Sequence, residues 1–336
     1  MKSLVITTIN QPTVALTKYR DILLDLGWHI IIVGDIKTPA DFDLRGADYL
    51  SVDRQHELFG ELASLIPLNH YARKNLGYLY AMRQGSQLIA ETDDDNIPYP
   101  GKYPDFLPIK VNTPILETQG AVNVYSYFTQ QKIWPRGLPL DKIKNSVEPQ
   151  LIQEKDVTCY IQQGLADLDP DVDAIYRLTV ASEDIIFEPG KKLALSEGCY
   201  CPFNTQNTLF YKQAFPLMLL PIGVHSRVTD IWRGYIAQKI LWYLGANLLF
   251  LSPSVYQVRN EHNLLKDFSQ EVPLYTQAHD LINLLEGFAT EAKSACDLML
   301  DVYAYLNRHY LLSDMEQHLC QLWIAEVRKY VSGSTR

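Results

Sequence analysis

Ser86-Gln87-Leu88-Ile89-Ala90-Glu91-Thr92-Asp93-Asp94-Asp95-Asn96-Ile97-Pro98 is the stretch on which the fold turns. A short apolar run passes straight into three carboxylates, an amide and a proline. Gly85 closes the helical segment before it, so residues 86–92 read as a buried strand with the acidic cluster at its carboxyl end. In extended backbone, positions i and i+2 face the same way, so Asp93 and Asp95 share a side that Asp94 does not. Two such carboxylates suit a hard divalent cation, Mn2+ or Mg2+, when ligand phosphates complete the shell. Aspartate, asparagine and proline are also the ordinary residues of solvated turns, and a plain turn is the competing reading.

Upstream, short apolar runs alternate with helix-period segments: residues 4–8, 15–26, 29–33 closed by Gly34-Asp35, then 49–52 and a long helical stretch ending in 71–83. That alternation predicts a parallel, Rossmann-type α/β sheet, with ligands at the carboxyl ends of its strands. Gly77 and Ala81 fall on one helix face and would let residues 71–83 pack closely on the sheet. Downstream, residues 98–221 are rich in proline, glycine and asparagine, with β-like runs at 121–128 and 208–211, as expected of edge strands and insertions lining a site. Residues 231–243 return to a helical period, 247–251 to a strand, and 276–330 are helical almost throughout.

The 336 residues are 47% hydrophobic with a formal net charge of −9, enough apolar content for a large core and the wrong sign for nucleic acid or an anionic membrane. Five scattered cysteines, Cys159, Cys199, Cys201, Cys296 and Cys320, lack zinc-site spacing and read as reduced thiols of a cytoplasmic protein. The N-terminal apolar run is too short for a signal peptide, and the longest later one, residues 240–251, is too short and too polar for a membrane span. A phosphate-binding Gly-x-x-x-x-Gly-Lys loop, a dinucleotide Gly-x-Gly-x-x-Gly and a Gly-x-Ser-x-Gly elbow are all missing, which disfavours P-loop enzymes, dinucleotide oxidoreductases and standard α/β-hydrolases.

Five ordered segments carry a resemblance: Tyr71-Ala-Arg-Lys-Asn-Leu-Gly-Tyr-Leu-Tyr, Glu91-Thr-Asp-Asp-Asp-Asn, Ile133-Trp-Pro-Arg-Gly-Leu-Pro-Leu, Pro202-Phe-Asn-Thr-Gln-Asn-Thr and Asp230-Ile-Trp-Arg-Gly-Tyr. Together they resemble the STELLO-type family of glycosyltransferases over roughly residues 4–275. Plant relatives carry membrane anchors and are Golgi proteins, whereas this sequence starts at its first strand, so their localisation is not carried over.

The resemblance implies a GT-A-like fold with a mixed central sheet: residues 1–98 as the nucleotide-binding half, 99–272 as the acceptor-binding half, and 273–336 as a helical appendage. It implies a nucleotide-sugar donor, a UDP-sugar first among them, and a carbohydrate or glycoconjugate acceptor. Asp93 and Asp95 would hold the metal, with His262 preferred over His225 as a third ligand. Thr8, Asn10 and Asp35 would line the nucleoside pocket beside Asp94. Arg73 and Lys74 would reach the diphosphate, Asn75 the sugar, and Arg136 in the Trp134–Gly137 turn would clamp the donor, the plain alternatives being solvated basic residues on a helix and a rigid structural corner. Trp134, Asn204, Gln206, Asn207 and Arg233 would meet the acceptor. Asp230, at the start of helix 231–243, would deprotonate the acceptor hydroxyl, with a helix N-cap as its plain alternative. Two other functions stay open. A sugar nucleotidyltransferase would need a glycine-rich phosphate loop that is missing, and a non-catalytic scaffold would use the C-terminal helices as a homo-oligomer surface, although the stripe of Leu281, Leu284, Leu285 and Phe288 there reads more simply as core.

Overall fold

Leu4, Val5 and Ile6 are wholly buried in succession, which only a strand covered on both faces allows. In the computed structural model, which describes residues 1–180, 183–258 and 263–331, this strand is β1 (Lys2–Thr7). It lies between β2 (Trp28–Val33) and β4 (Leu88–Asp93), with β3 (Ala47–Leu50) beyond β2, all four parallel. The connecting helices are α1 (Val14–Asp25), α2 (Val52–Leu65) and α3 (Lys74–Arg83). Helix α3 does lie close on the sheet. A Cβ at Gly77 would stand 2.4 Å from Val33 and 2.6 Å from Val5, so no larger residue fits without displacing β1 and β2.

The second half extends the same sheet through β5 (Asn96–Pro98), β6 (Lys110–Leu116), β8 (Ile152–Thr158), β9 (Ile161–Leu168), β10 (Lys192–Leu195), β12 (Asn207–Tyr211) and β13 (Leu248–Gln257). Among the described residues the order is β3-β2-β1-β4-β12-β9-β13-β10-β6-β8, with β5 on β13, and β12 turns the direction by pairing antiparallel with β4. A separate pair joins β7 (Gly120–Ala121) to β11 (Cys199–Tyr200). Short helices α4 (Tyr125–Phe128) and α5 (Ala174–Thr179) sit in this half, followed by α6 (Ser226–Tyr243), α7 (Leu264–Gly287), α8 (Ala295–Arg308) and α9 (Asp314–Val331). The α/β class, the mixed sheet and the C-terminal helices are those expected. One apolar cluster runs from Val5 and Leu76 to Trp323 and Val327, so α9 closes over α2 and α3.

Three expectations need correction. Residues 121–128 form α4 after a two-residue strand, because burial of Tyr125 and Phe128 against Phe187 and Tyr127 outweighs β propensity. Helix α6 begins five residues before residue 231, capped by His225, whose Nδ1 accepts from Arg227 N at 3.2 Å. Asp230 therefore lies inside α6 and is not its N-cap. Helix α7 begins at Leu264 and carries Pro273 in its interior, where proline ordinarily signals a break. Its stripe of Leu281, Leu285 and Phe288 is buried in the chain's own core, as the plainer reading of these residues has it. No helix among the described residues is long and apolar enough to cross a membrane.

Candidate active site

The parallel pairing of β1 with β4 sets Thr7 beside Asp93 and brings the loop after β1 to the acidic cluster. Thr8 Oγ1 donates to Asp94 Oδ2 at 2.5 Å, and Asn10 Nδ2 donates to the same oxygen at 3.0 Å. Thr13, the N-cap of α1, donates to the Asp94 carbonyl at 2.6 Å. Asp93 Oδ1 accepts from the Tyr71 hydroxyl and from Lys74 Nζ at 2.9 Å. Lys74 is fully buried and also donates to Thr92 O at 2.7 Å. Asp95 Oδ2 accepts from Gln257 Nε2 at 2.7 Å, and Gln257 Oε1 accepts from Gln206 Nε2 at 2.7 Å.

Burial, and then the neighbouring Asp93, push the Asp95 carboxyl up to about 7. A carboxyl reluctant to ionise beside a second carboxylate is one that a divalent cation would draw into its charged form. The oxygen donors are of the hard type that Mn2+ and Mg2+ prefer, so the residues fit such an ion. Among the described residues no three His, Cys, Asp or Glu side chains converge as ligands. His262 lies outside the described residues, and His225 borders the neighbouring cavity.

Two cavities meet at this cluster. One of about 430 Å³ is bounded by Thr8, Asn10, Gly34, Asp35, Arg73 and Asp94. The other, about 390 Å³, is bounded by Arg136, Asp171, Thr205, Gln206 and Asp230. Tyr71, Asp93, Asp95, Ser226 and Gln257 border both. In the first cavity, the Asp35 turn is closed by Thr38, whose Oγ1 donates to Thr8 O at 2.7 Å and accepts from Asp35 N at 2.8 Å. Gly34 is required there, since a Cβ would stand 2.4 Å from the Tyr49 hydroxyl oxygen. Asp35 Oδ2 accepts from His70 N at 3.1 Å, and burial lowers the His70 pKa, which keeps its imidazole neutral.

In the second cavity a buried arginine lies between two carboxylates. Arg136 Nε and Nη2 donate to Asp171 at 2.6 and 2.9 Å, and Nη2 also donates to Asp230 Oδ2 at 2.9 Å. Burial raises the Asp171 pKa, and Arg136 acts against that rise.

Several expected contact residues are committed elsewhere. Arg73 borders the first cavity, but its Nε donates to Gln55 Oε1 at 2.7 Å and its Nη1 to Ile66 O at 3.0 Å, which ties α2 to α3. Asn75 clamps the Leu220 backbone at 2.8 and 2.9 Å. Trp134 Nε1 donates to Asp173 Oδ2 at 2.7 Å. Asn204 Oδ1 accepts from Gln206 N at 2.9 Å, and Asn207 Nδ2 donates to Ser254 Oγ at 3.0 Å. Arg233 makes a bidentate pair with Glu91 at 2.7 and 3.0 Å inside the core. Lys74, Asn75, Trp134, Asn204, Asn207 and Arg233 border neither cavity. Tyr71, Thr205, Asp171 and Gln257 do, and of these Tyr71 and Thr205 stand inside the quoted motifs without having suggested a role.

Residues 227–332 match the model of the STELLO glycosyltransferases. Two Arabidopsis thaliana proteins, Probable glycosyltransferase STELLO2 and Probable glycosyltransferase STELLO1, are 29% and 28% identical to the chain over 97% and 94% of its length. The chain is thus similar to these two proteins over nearly its whole length. It spans 44% of the length of each of these STELLO relatives. A solved structure described as a mycobacterial protein aligns with 86% of this chain and 76% of its own, at 12% identity and a TM-score of 0.40.

Proposed function

We propose that the chain is a metal-dependent glycosyltransferase that moves a sugar from a nucleotide-sugar donor to a hydroxyl of a carbohydrate or glycoconjugate. The observation that carries this reading is that Asp93 and Asp95 border two cavities at once. A group transfer needs that arrangement, with donor and acceptor on either side of one charged point.

The first cavity is the donor side. Thr8, Asn10 and Asp35 offer a donor–acceptor lining for a base and ribose, and the strand ends provide the opening where α/β sheets bind nucleotides. Asp93 and Asp95 would hold Mn2+ or Mg2+, and the bound cation supplies positive charge to the diphosphate as it leaves. The second cavity is the acceptor side. Gln206 offers an amide to a sugar hydroxyl, and Asp230 stands where a hydroxyl proton can be taken. In the transfer, the acceptor oxygen bonds the anomeric carbon, the bond from that carbon to the phosphate oxygen breaks, and the hydroxyl proton passes to Asp230. Arg136 orients the Asp230 carboxylate through its Nη2 hydrogen bond, and Asp171 keeps Arg136 in place. All five cysteines are free and buried, which supports a reducing compartment such as the cytoplasm.

The test is turnover. The full chain is incubated with Mn2+ and a set of nucleotide sugars, with and without simple saccharide acceptors, and nucleoside diphosphate release is followed. Release from one donor class, abolished by chelation, is the expected result. Pyrophosphate release from a nucleoside triphosphate and a sugar phosphate would instead make it a nucleotidyltransferase.

A further inference from the structure

The Tyr71 hydroxyl has one hydrogen and three partners. Lys74 Nζ donates to its oxygen at 2.6 Å, while Asp93 Oδ1 and Thr205 Oγ1, the latter at 2.6 Å, compete for its hydrogen. The Thr205 hydroxyl in turn reaches Asp230 Oδ2 at 3.5 Å, the oxygen that also takes Arg136 Nη2. A line of side chains, Asp93, Tyr71, Thr205 and Asp230, therefore crosses from the carboxylate pair to the second cavity. Its two middle members are hydroxyls, each able to donate once and to accept. Thr205 and Asp230 are both buried, at the wall of the second cavity.

We propose that Tyr71 is a positioning residue that couples a divalent cation on Asp93 to the hydrogen bonding of Asp230. The inference rests on Asp93 and Asp95 being cation ligands. With Asp93 unliganded, the Tyr71 hydrogen satisfies Asp93, and the Thr205 hydrogen is shared between the Tyr71 oxygen and Asp230. With Asp93 Oδ1 engaged by a cation, that oxygen is a poorer acceptor, and the Tyr71 hydrogen turns to Thr205 Oγ1. The Thr205 hydrogen then has only Asp230 to donate to. Asp230 Oδ2 is thereby held by two donors, Thr205 and Arg136, when the donor side is loaded, while Oδ1 keeps its bond from Ile231 N. No bond to hydrogen breaks in this exchange; two hydroxyls rotate. Lys74 keeps the Tyr71 oxygen in place in both settings, since it donates to that oxygen and needs nothing in return.

Coupling of this kind is reciprocal, so a change at Asp230 must alter cation affinity, and must do so through the two hydroxyls. A direct electrostatic effect of Asp230 on the cation would not need them. The experiment is a double-mutant cycle on the full chain, with Mn2+ alone as the probe and calorimetry as the readout. Asp230→Asn is expected to change the Mn2+ Kd by about fivefold in the native background and with Thr205→Ser, but by about twofold or less with Tyr71→Phe or Thr205→Val. Should Tyr71→Phe fail to fold, the two Thr205 variants make the same comparison. An equal factor in every background, or no effect of Asp230→Asn on a native chain that binds Mn2+, overturns the coupling alone. A native chain that binds no Mn2+ overturns the metal-site reading and the coupling with it.

Discussion

Gln257 donates to Asp95 at 2.7 Å across 162 positions of sequence, so the last residue of β13 orients the carboxylate that follows β4. The bond favours the ionised form of Asp95, against the burial that disfavours it. Groups that orient a ligand from outside the shell commonly matter about 10–100-fold for metal affinity. Gln257→Leu should weaken Mn2+ binding by about tenfold, at the low end of that range, with little change in melting temperature. Calorimetry beside a thermal melt checks both, and unchanged affinity would leave Gln257 with no part in the site.

The pH dependence follows from the same carboxyl. Its ordinary value of 3.8 is raised to about 7 in the fold, so across that window the folded chain holds a proton that the unfolded chain has lost. Stability from this group is therefore greatest at low pH, falls as pH rises between about 4 and 7, and levels above that. Cation affinity has the opposite slope, because the proton must leave: it should rise up to about tenfold per pH unit below pH 7 and flatten above. Titrating Mn2+ at several pH values measures the slope, and Asp95→Asn should remove whatever binding and slope the native chain shows.

The Glu91–Arg233 pair lies in the core beneath the site, with the Tyr78 hydroxyl also donating to Glu91. Breaking a buried pair from one side leaves an uncompensated charge and costs about 3–5 kcal/mol. Arg233→Met should therefore lower the urea midpoint sharply while the folded fraction keeps its affinity for nucleotide. Near-native stability with lost acceptor use would return Arg233 to the substrate.

Asp230→Asn tests the base. Removing a positioned general base costs about 10²–10⁴-fold in rate. Transfer should fall by that order while donor binding persists, and the product of the native chain should show inverted anomeric configuration. Native-like transfer by the variant, or a product of retained configuration, takes the role from Asp230.

The first 98 residues are legible because their periodicities are clean: β1, β2 and β4 each carry a short apolar run, residues 4–6, 30–33 and 88–90, and Gly77 and Ala81 mark the face of α3 that meets them. Strand β9 is not, since Gln162, Gln163 and Gly164 near its start look like a loop. Their polarity is absorbed locally. Gln162 bonds both backbone groups of Leu107 at 2.8 Å, Gln163 accepts from Asn204 N at 2.8 Å, and a Cβ at Gly164 would meet Asn207 at 2.2 Å. Of the site, the shared facing of Asp93 and Asp95 was readable from two-residue spacing. Asp171 was not, because it matters only once Arg136, 35 positions earlier, folds against it. Arg73, Asn75 and Arg233 were read as ligand contacts for the opposite reason: a basic or amide side chain within a motif looks the same whether it meets substrate or ties two elements together.

Mn2+-dependent binding of UDP and UDP-sugars to the native chain and to Asp95→Asn, followed by calorimetry, tests the metal-bridged donor site most directly. The expected result is nucleotide binding to the native chain that requires Mn2+ and is lost in Asp95→Asn, with both proteins equally folded. Mn2+-dependent binding of equal strength to the two proteins would contradict it.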